Sequence, residues 1–364
     1  MTRHRQPRVV LFSPSLTAVS GVSTHVNMLL GSTLADNFEL LHFQVGSEGR
    51  KEGKAGKLWR MLSSPFALAA FLVRTRPDIV HINTSLDQKA YWRDLAYLGV
   101  ARLLGRKVVN QIHGGALPQT FFPHSRFLTW ILRRALLASN AVTVLSSEEL
   151  SAYRAFDSRM NVHLVPNAIV ADELIEAPRV TNLDAPLRLV YVGRLVASKG
   201  LFETVEALSL LKQRGHRFTF QIAGGGPDEA GLKKAVHDAG LEPEVKLLGP
   251  VFGAAKNRLW LDSDLFVFPT WHKEGLPYAI LEAMAAGCVP VTCPVAAIPD
   301  VMQQGAHGMF VPRKDPAALA DALARLDQDR ASIARMAAAG RERIKAQYTT
   351  TRLAEDFRRL YQSL

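Results

Sequence analysis

The chain has 364 residues, a net charge of +11, 48% apolar and 21% charged residues, which excludes a disordered chain and allows two domains of ordinary size. Its longest apolar run, Phe66–Val73, falls far short of the ~20 residues of a spanning helix, and Val9–Phe12, followed at once by Ser13-Pro14, cannot form a signal-peptide core. Residues 1–180 hold 21 Lys/Arg against 13 Asp/Glu, the remainder 23 against 20. A basic half suits nucleic acid, an anionic membrane face or an acidic acceptor. Nucleic-acid motifs such as paired zinc ligands are missing, so the membrane face is the expectation. Cys288 and Cys293, five apart, suggest no disulfide and fit a reduced cytoplasm.

Short apolar runs alternate with helical patterns, the mark of parallel α/β units. In chain order the predicted strands are 8–12, 40–45, 79–82, 108–112, 141–145 and 162–165. Around 171–186 the periodicity stops, and acids, prolines and small residues predict a linker. A second series follows at 187–192, 217–223, 245–248, 265–268, 289–292 and 309–311. Two Rossmann-like domains facing across a cleft follow from this, with ligands expected beyond the carboxyl ends of the strands. The expected boundaries are 1–172, 173–347 and 348–364, the last an amphipathic helix carrying Leu353, Phe357, Leu360 and Tyr361.

The most informative segment is Phe268–Gly287. It places Glu274 and Glu282 eight residues apart, across a change from strand end to helix. Gly275-Leu276-Pro277 opens that helix, with proline near its first position and Gly287 at its end. A helix N-terminus suits a diphosphate, and the flanking carboxylates can accept hydrogen bonds from hydroxyls on either side of it. A sugar–diphosphate–ribose ligand answers that description. After the strand at 187–192 come Arg194 and Lys199, two cations in a glycine-bounded turn, and both can reach a leaving diphosphate. In the first half, Gly21 at a helix start lets backbone approach a phosphate, while His25, a turn later, is as readily packed as ligating. His113-Gly114-Gly115 ends another strand, where a histidine is expected to point into the cleft. Gly224-Gly225-Gly226 lacks dinucleotide-fingerprint spacing, so a nicotinamide site is not expected.

Glu-Gly-Leu-Pro…Leu-Glu-Ala-Met-Ala-Ala-Gly, from Glu274 to Gly287, together with Gly193-Arg194-Leu195…Lys199-Gly200, resembles the donor site of retaining GT-B glycosyltransferases of family 4. The resemblance covers nearly the whole chain and implies the α/β GT-B fold, with the C-terminal helix crossing back to the first domain. It implies donor binding by the second domain and acceptor binding by the first. Arg194 and Lys199 would stabilise the departing nucleotide, Glu274 would hold the transferred sugar and Glu282 the ribose. His113 would contact that sugar. The backbone of the 248–251 loop, with Val251, would meet the nucleobase. Val165-Pro166-Asn167-Ala168 matches a family element except for Ala168, Ser20-Gly21 replaces a glycine pair, and Ala296-Ala297 stands where many relatives have glycines.

The expected activity is metal-independent, retaining transfer of a hexose from a UDP- or GDP-sugar to a glycan or lipid-linked acceptor, without a further cofactor. The expected place is the cytoplasm, peripheral on an anionic membrane. Basic segments around Trp59 and Trp130 could lie on lipid or simply pack on the sheet. The rivals are a sugar-nucleotide epimerase or hydrolase of the same fold and a non-catalytic subunit of a polysaccharide-assembly complex.

Overall fold

The computed structural model describes residues 5–50, 52–177, 185–272 and 275–364. They form two compact units, one of residues up to Ala168 together with Thr350–Leu364, the other Ile169–Thr349. The strands are β1 (Arg8–Ser13), β2 (Glu39–Gln44), β3 (Ile79–Leu86), β4 (Lys107–Gly115), β5 (Ala141–Val144), β6 (Val162–Leu164), β7 (Leu187–Val192), β8 (Phe218–Ala223), β9 (Val245–Gly249), β10 (Leu265–Phe268), β11 (Val289–Thr292) and β12 (Met309–Phe310). All the predicted strands are present, each within a few residues of its expected ends.

Both sheets are parallel, in the orders β2-β1-β3-β4-β5-β6 and β12-β11-β10-β7-β8-β9. Parallel pairing needs a crossover between successive strands, and the helices that supply it cover both faces. Central strands are therefore apolar throughout: Val9, Val10, Leu11 and Phe12 are fully buried. Their side chains alternate between faces. Val9 and Leu11 pack with Val26 and Leu29 of the helix Gly21–Leu30. Val10 and Phe12 pack with Leu68 and Leu72 of the helix Lys54–Thr75, and with Tyr97 and Leu98 of the helix Gln88–Leu103. The predicted linker is in part regular: Asp172–Glu176 forms a short helix with Leu174 buried, because one apolar residue there finds the second unit's core. Residues 178–184 of it lie outside the described residues.

The last helix, Thr350–Ser363, buries Leu353, Phe357, Leu360 and Tyr361 against the first sheet, as its periodicity predicts, although it follows the second unit in sequence. Arg352 fastens it by donating to the Pro166 carbonyl at 2.9 Å. Burying each of these side chains contributes roughly 1.5–3 kcal/mol. Phe357, fully buried against His25 and His81, should be the largest single contributor. Phe357→Ala is expected to lower unfolding free energy by about 3–5 kcal/mol, measured by urea denaturation followed through near-UV circular dichroism.

Candidate nucleotide-sugar site

In the second sheet the chain order reverses between β7 and β10, where Leu265 lies beside Leu189 and Phe266 beside Val190. Loops leaving such a pair diverge to opposite faces and open a crevice at the carboxyl ends. The loop after β7 carries Arg194 and, in a 3₁₀ turn, Lys199. The loop after β10 leads through Gly275, Leu276 and Pro277 into the helix Tyr278–Ala286.

Backbone contacts hold the two loops together. Ser198 O accepts from Trp271 N at 3.0 Å and His272 N at 3.2 Å. Gly200 has φ +79°, and a Cβ there would fall 2.4 Å from Pro269 O, so only glycine permits the approach. From the other side, Leu195 N donates to Gly225 O at 3.0 Å, and a Cβ on Gly224 would lie 1.8 Å from Gly193 O. The triple glycine, which the sequence marks only as an unsuitable dinucleotide fingerprint, is the bed on which the Arg194 loop rests.

That bed brings two cations close. Arg194 is exposed; Lys199 lies with Nζ 5.3 Å from the Phe268 ring centroid, and its pKa is lowered to about 8, first by burial and then by the Arg194 charge. A depressed lysine beside an arginine is a place prepared for an anion. The nearby helix adds to it. Pro277 is its N-cap, next to the first helical residue, as expected, with an extended ψ of 124°. No side chain among the described residues caps the helix, and a helix N-terminus presents amide donors and the positive dipole end. Gly287 ends it at φ 71°, as predicted.

Glu282, one turn in, accepts from Lys256 Nζ at 2.7 Å and Trp260 Nε1 at 3.2 Å. Both donors sit on the helix Gly253–Leu261, which follows the half-buried Val251. They hold the carboxylate in one orientation, with lone pairs left for hydroxyls. Sequence gives no signal for them, since they lie 26 and 22 residues away. Trp271 is held likewise: its Nε1 donates to Glu203 at 3.1 Å and the Lys314 ammonium lies 4.2 Å from its ring centroid. Glu274 and Lys273 fall outside the described residues.

In the first unit, Gly21 begins its helix without a positive φ, and Ser20 is the N-cap, accepting from Ser23 N at 3.2 Å. His25 is buried, its ring 4.9 Å from that of His113 and edge-on to it. It is a packed histidine: burial lowers its pKa to about 4, and no hydrogen bond of good geometry reaches its nitrogens, although Gln111 lies near. His113, at the end of β4, is partly exposed, with Nε2 2.8 Å from Asn83 Oδ1. Desolvation first, then His25 and His81, hold it well below the ordinary histidine range.

The two tryptophan-bearing segments turn outward. On the helix Lys54–Thr75, Leu58, Trp59, Met61, Leu62 and Phe66 are exposed, Trp59 by 73%. On the helix Arg126–Ala138, Phe127 and Trp130 are exposed and stacked, with Arg134 over Trp130. Both helices pack against Gln88–Leu103. None of the described helices is long and apolar enough to cross a membrane.

Two six-stranded parallel sheets, with a cation pair and a helix N-terminus at one switch point, define a two-domain α/β protein of the Rossmann-like kind. Residues 186–329 match the family model described as glycosyl transferases group 1, and residues 26–168 the one described as glycosyl transferase 4-like domain. The chain is 30% identical over 272 residues to the GDP-mannose-dependent alpha-(1-6)-phosphatidylinositol monomannoside mannosyltransferase of Mycobacterium tuberculosis, covering 70% of this chain and 69% of that one. It belongs to the group 1, family 4-like GT-B glycosyltransferases. It is 36% identical over 171 residues to the amylovoran biosynthesis glycosyltransferase AmsK of Erwinia amylovora, a match that spans 46% of this chain and less than half, 42%, of that relative. In fold it resembles Anabaena HepE in complex with UDP-glucose, with a TM-score of 0.73 at 17% identity over 98% of this chain and 100% of that one.

Two stability tests follow from the site's backbone and charge. Ala296 has φ 49°, the left-handed region that costs an L-residue roughly 1–2 kcal/mol; Ala296→Gly should raise the thermal midpoint by a few degrees, read by calorimetry. Lys199 sheds its proton near pH 8 when folded and near 10.5 when unfolded, so across that window the unfolded state holds more protons and stability rises with pH. Lys199→Met should flatten this rise in urea midpoints measured from pH 7.5 to 10.

Proposed function

We propose that this glycosyltransferase moves a hexose from a UDP- or GDP-sugar to a glycan or lipid-linked acceptor, with retention, in the synthesis of a cell-surface polysaccharide or glycolipid. The observation that carries the reading is the pairing of Arg194 and Lys199 at the β7/β10 switch point beside the N-terminus of the helix Tyr278–Ala286. Fixed positive charge where a diphosphate departs stabilises the charge as it develops. These groups take the part a divalent ion would play, so the transfer is metal-independent. Glu282, aimed by Lys256 and Trp260, holds the ribose; the backbone around Val251 meets the base; Glu274 and His113 bind hydroxyls of the transferred sugar, and Gly21 lets backbone approach the phosphate.

Retention proceeds by front-face substitution. The bond from the anomeric carbon to the diphosphate oxygen breaks, the acceptor oxygen bonds from the same face, and the acceptor proton passes to the leaving diphosphate. The bilateral similarity to a polysaccharide enzyme and a phosphatidylinositol mannoside enzyme supports an extended or lipid-linked acceptor. The exposed Trp59 and Trp130, flanked by Lys57 and Arg134, support peripheral contact with an anionic membrane on the cytoplasmic side.

A panel of UDP- and GDP-hexoses, assayed for nucleotide release with and without anionic vesicles, tests the reading. One donor should turn over, and vesicles should capture the protein but not its Trp59→Glu/Trp130→Glu variant. Lys256→Met should raise KM for that donor about tenfold to a hundredfold, the worth of one hydrogen bond to a charged group. If no donor releases nucleotide and none shifts the thermal midpoint, transfer from a nucleotide sugar is excluded.

A further inference from the structure

We infer that Asn83 is a positioning residue for His113, fixing its ring and its tautomer so that Nδ1 is presented as a hydrogen-bond acceptor to a hydroxyl of the bound sugar. The inference rests on the reading of His113 given above.

Asn83, on β3, is 3% exposed. Its Nδ2 donates to the carbonyl of Phe12, on β1, at 2.9 Å. A carbonyl only accepts, so the amide nitrogen must face it, and the amide oxygen is thereby turned toward β4. That oxygen lies 2.8 Å from His113 Nε2. It too only accepts, so Nε2 must carry the proton. In a neutral imidazole the second nitrogen then bears a lone pair, and among the described residues no group hydrogen-bonds Nδ1. Protonation of His113 is resisted by its desolvated setting and by the neighbouring His25 and His81.

Three strands contribute one link each: a main-chain carbonyl of β1, a side-chain amide of β3 and an imidazole of β4. Since β1, β3 and β4 are adjacent and parallel, the relay is rigid. The edge of His25, 4.9 Å away, limits rotation of the His113 ring on its other side. A sugar hydroxyl donating to Nδ1 meets an acceptor whose direction was set before it arrived. That saves the ordering a free histidine would require.

The test combines a spectroscopic and a kinetic arm on the full chain. With ¹⁵N-labelled histidine, the resonance assigned through a His113→Phe control should show Nδ1 unprotonated and Nε2 protonated at pH 7. In Asn83→Ala the two tautomers should mix, and kcat/KM for the accepted nucleotide sugar should fall about tenfold to a hundredfold, the range for removal of a partner that orients a histidine. His113→Phe should cost at least as much, and the Asn83→Ala, His113→Phe double variant no more than His113→Phe alone. A wild-type spectrum with Nδ1 protonated overturns the inference, as does an Asn83→Ala variant with unchanged tautomer and unchanged kcat/KM, or a kinetically silent His113→Phe. Should Asn83→Ala not fold, the wild-type spectrum still decides the tautomer and His113→Phe the use of the ring. Failure of every donor to turn over would sink the transfer reading separately, because the tautomer is read without substrate.

Discussion

Two positive charges that repel each other are kept side by side in a partly buried loop, and most of the second unit's local architecture is what makes that tolerable. Lys199 is depressed by burial and by Arg194, so the two charges oppose each other. The backbone supplies the restraint: Ser198 O bonded by Trp271 N and His272 N, Leu195 N bonded to Gly225 O, and two glycines where any side chain would collide with a carbonyl. A loop that could relax would separate its charges. One that cannot keeps them together.

Around this loop, other side chains are also held before a ligand binds. Glu282 is gripped by an ammonium and an indole, and Trp271 by a carboxylate and an ammonium. In the first unit the logic is reversed. His25, His81 and His113 are kept neutral by desolvation, giving directional acceptors and donors without net charge. The second unit's loop thus gathers charge, and the first unit's histidines gather neutral polarity.

Much of this was legible in advance because it depends on near neighbours along the chain. The strand runs, the cations at Arg194 and Lys199, the helix stop at Gly287 and the periodicity of Leu353, Phe357, Leu360 and Tyr361 are patterns of a few residues. For Gly224 the spacing said only what the triple glycine is not; its packing against the carbonyl of Gly193 is a contact between loops that sequence does not show. His25 was ambiguous because burial is not encoded at one position, and the burial of Leu174 in the predicted linker needed a core to receive it. Ala296 stands in a glycine's conformation, which no pattern of neighbouring residues foretells.

The sequence by itself determined the two-domain α/β class, the family and the cation-bearing loop, since hydrophobic period and motif spacing act over one element at a time. Tertiary structure alone decided that Lys256 and Trp260 serve Glu282, that Asn83 serves His113, and that Trp59 and Trp130 face outward. Those outcomes depend on which elements lie side by side in a sheet or on its faces, a global consequence of burying apolar surface in parallel layers that no local spacing records.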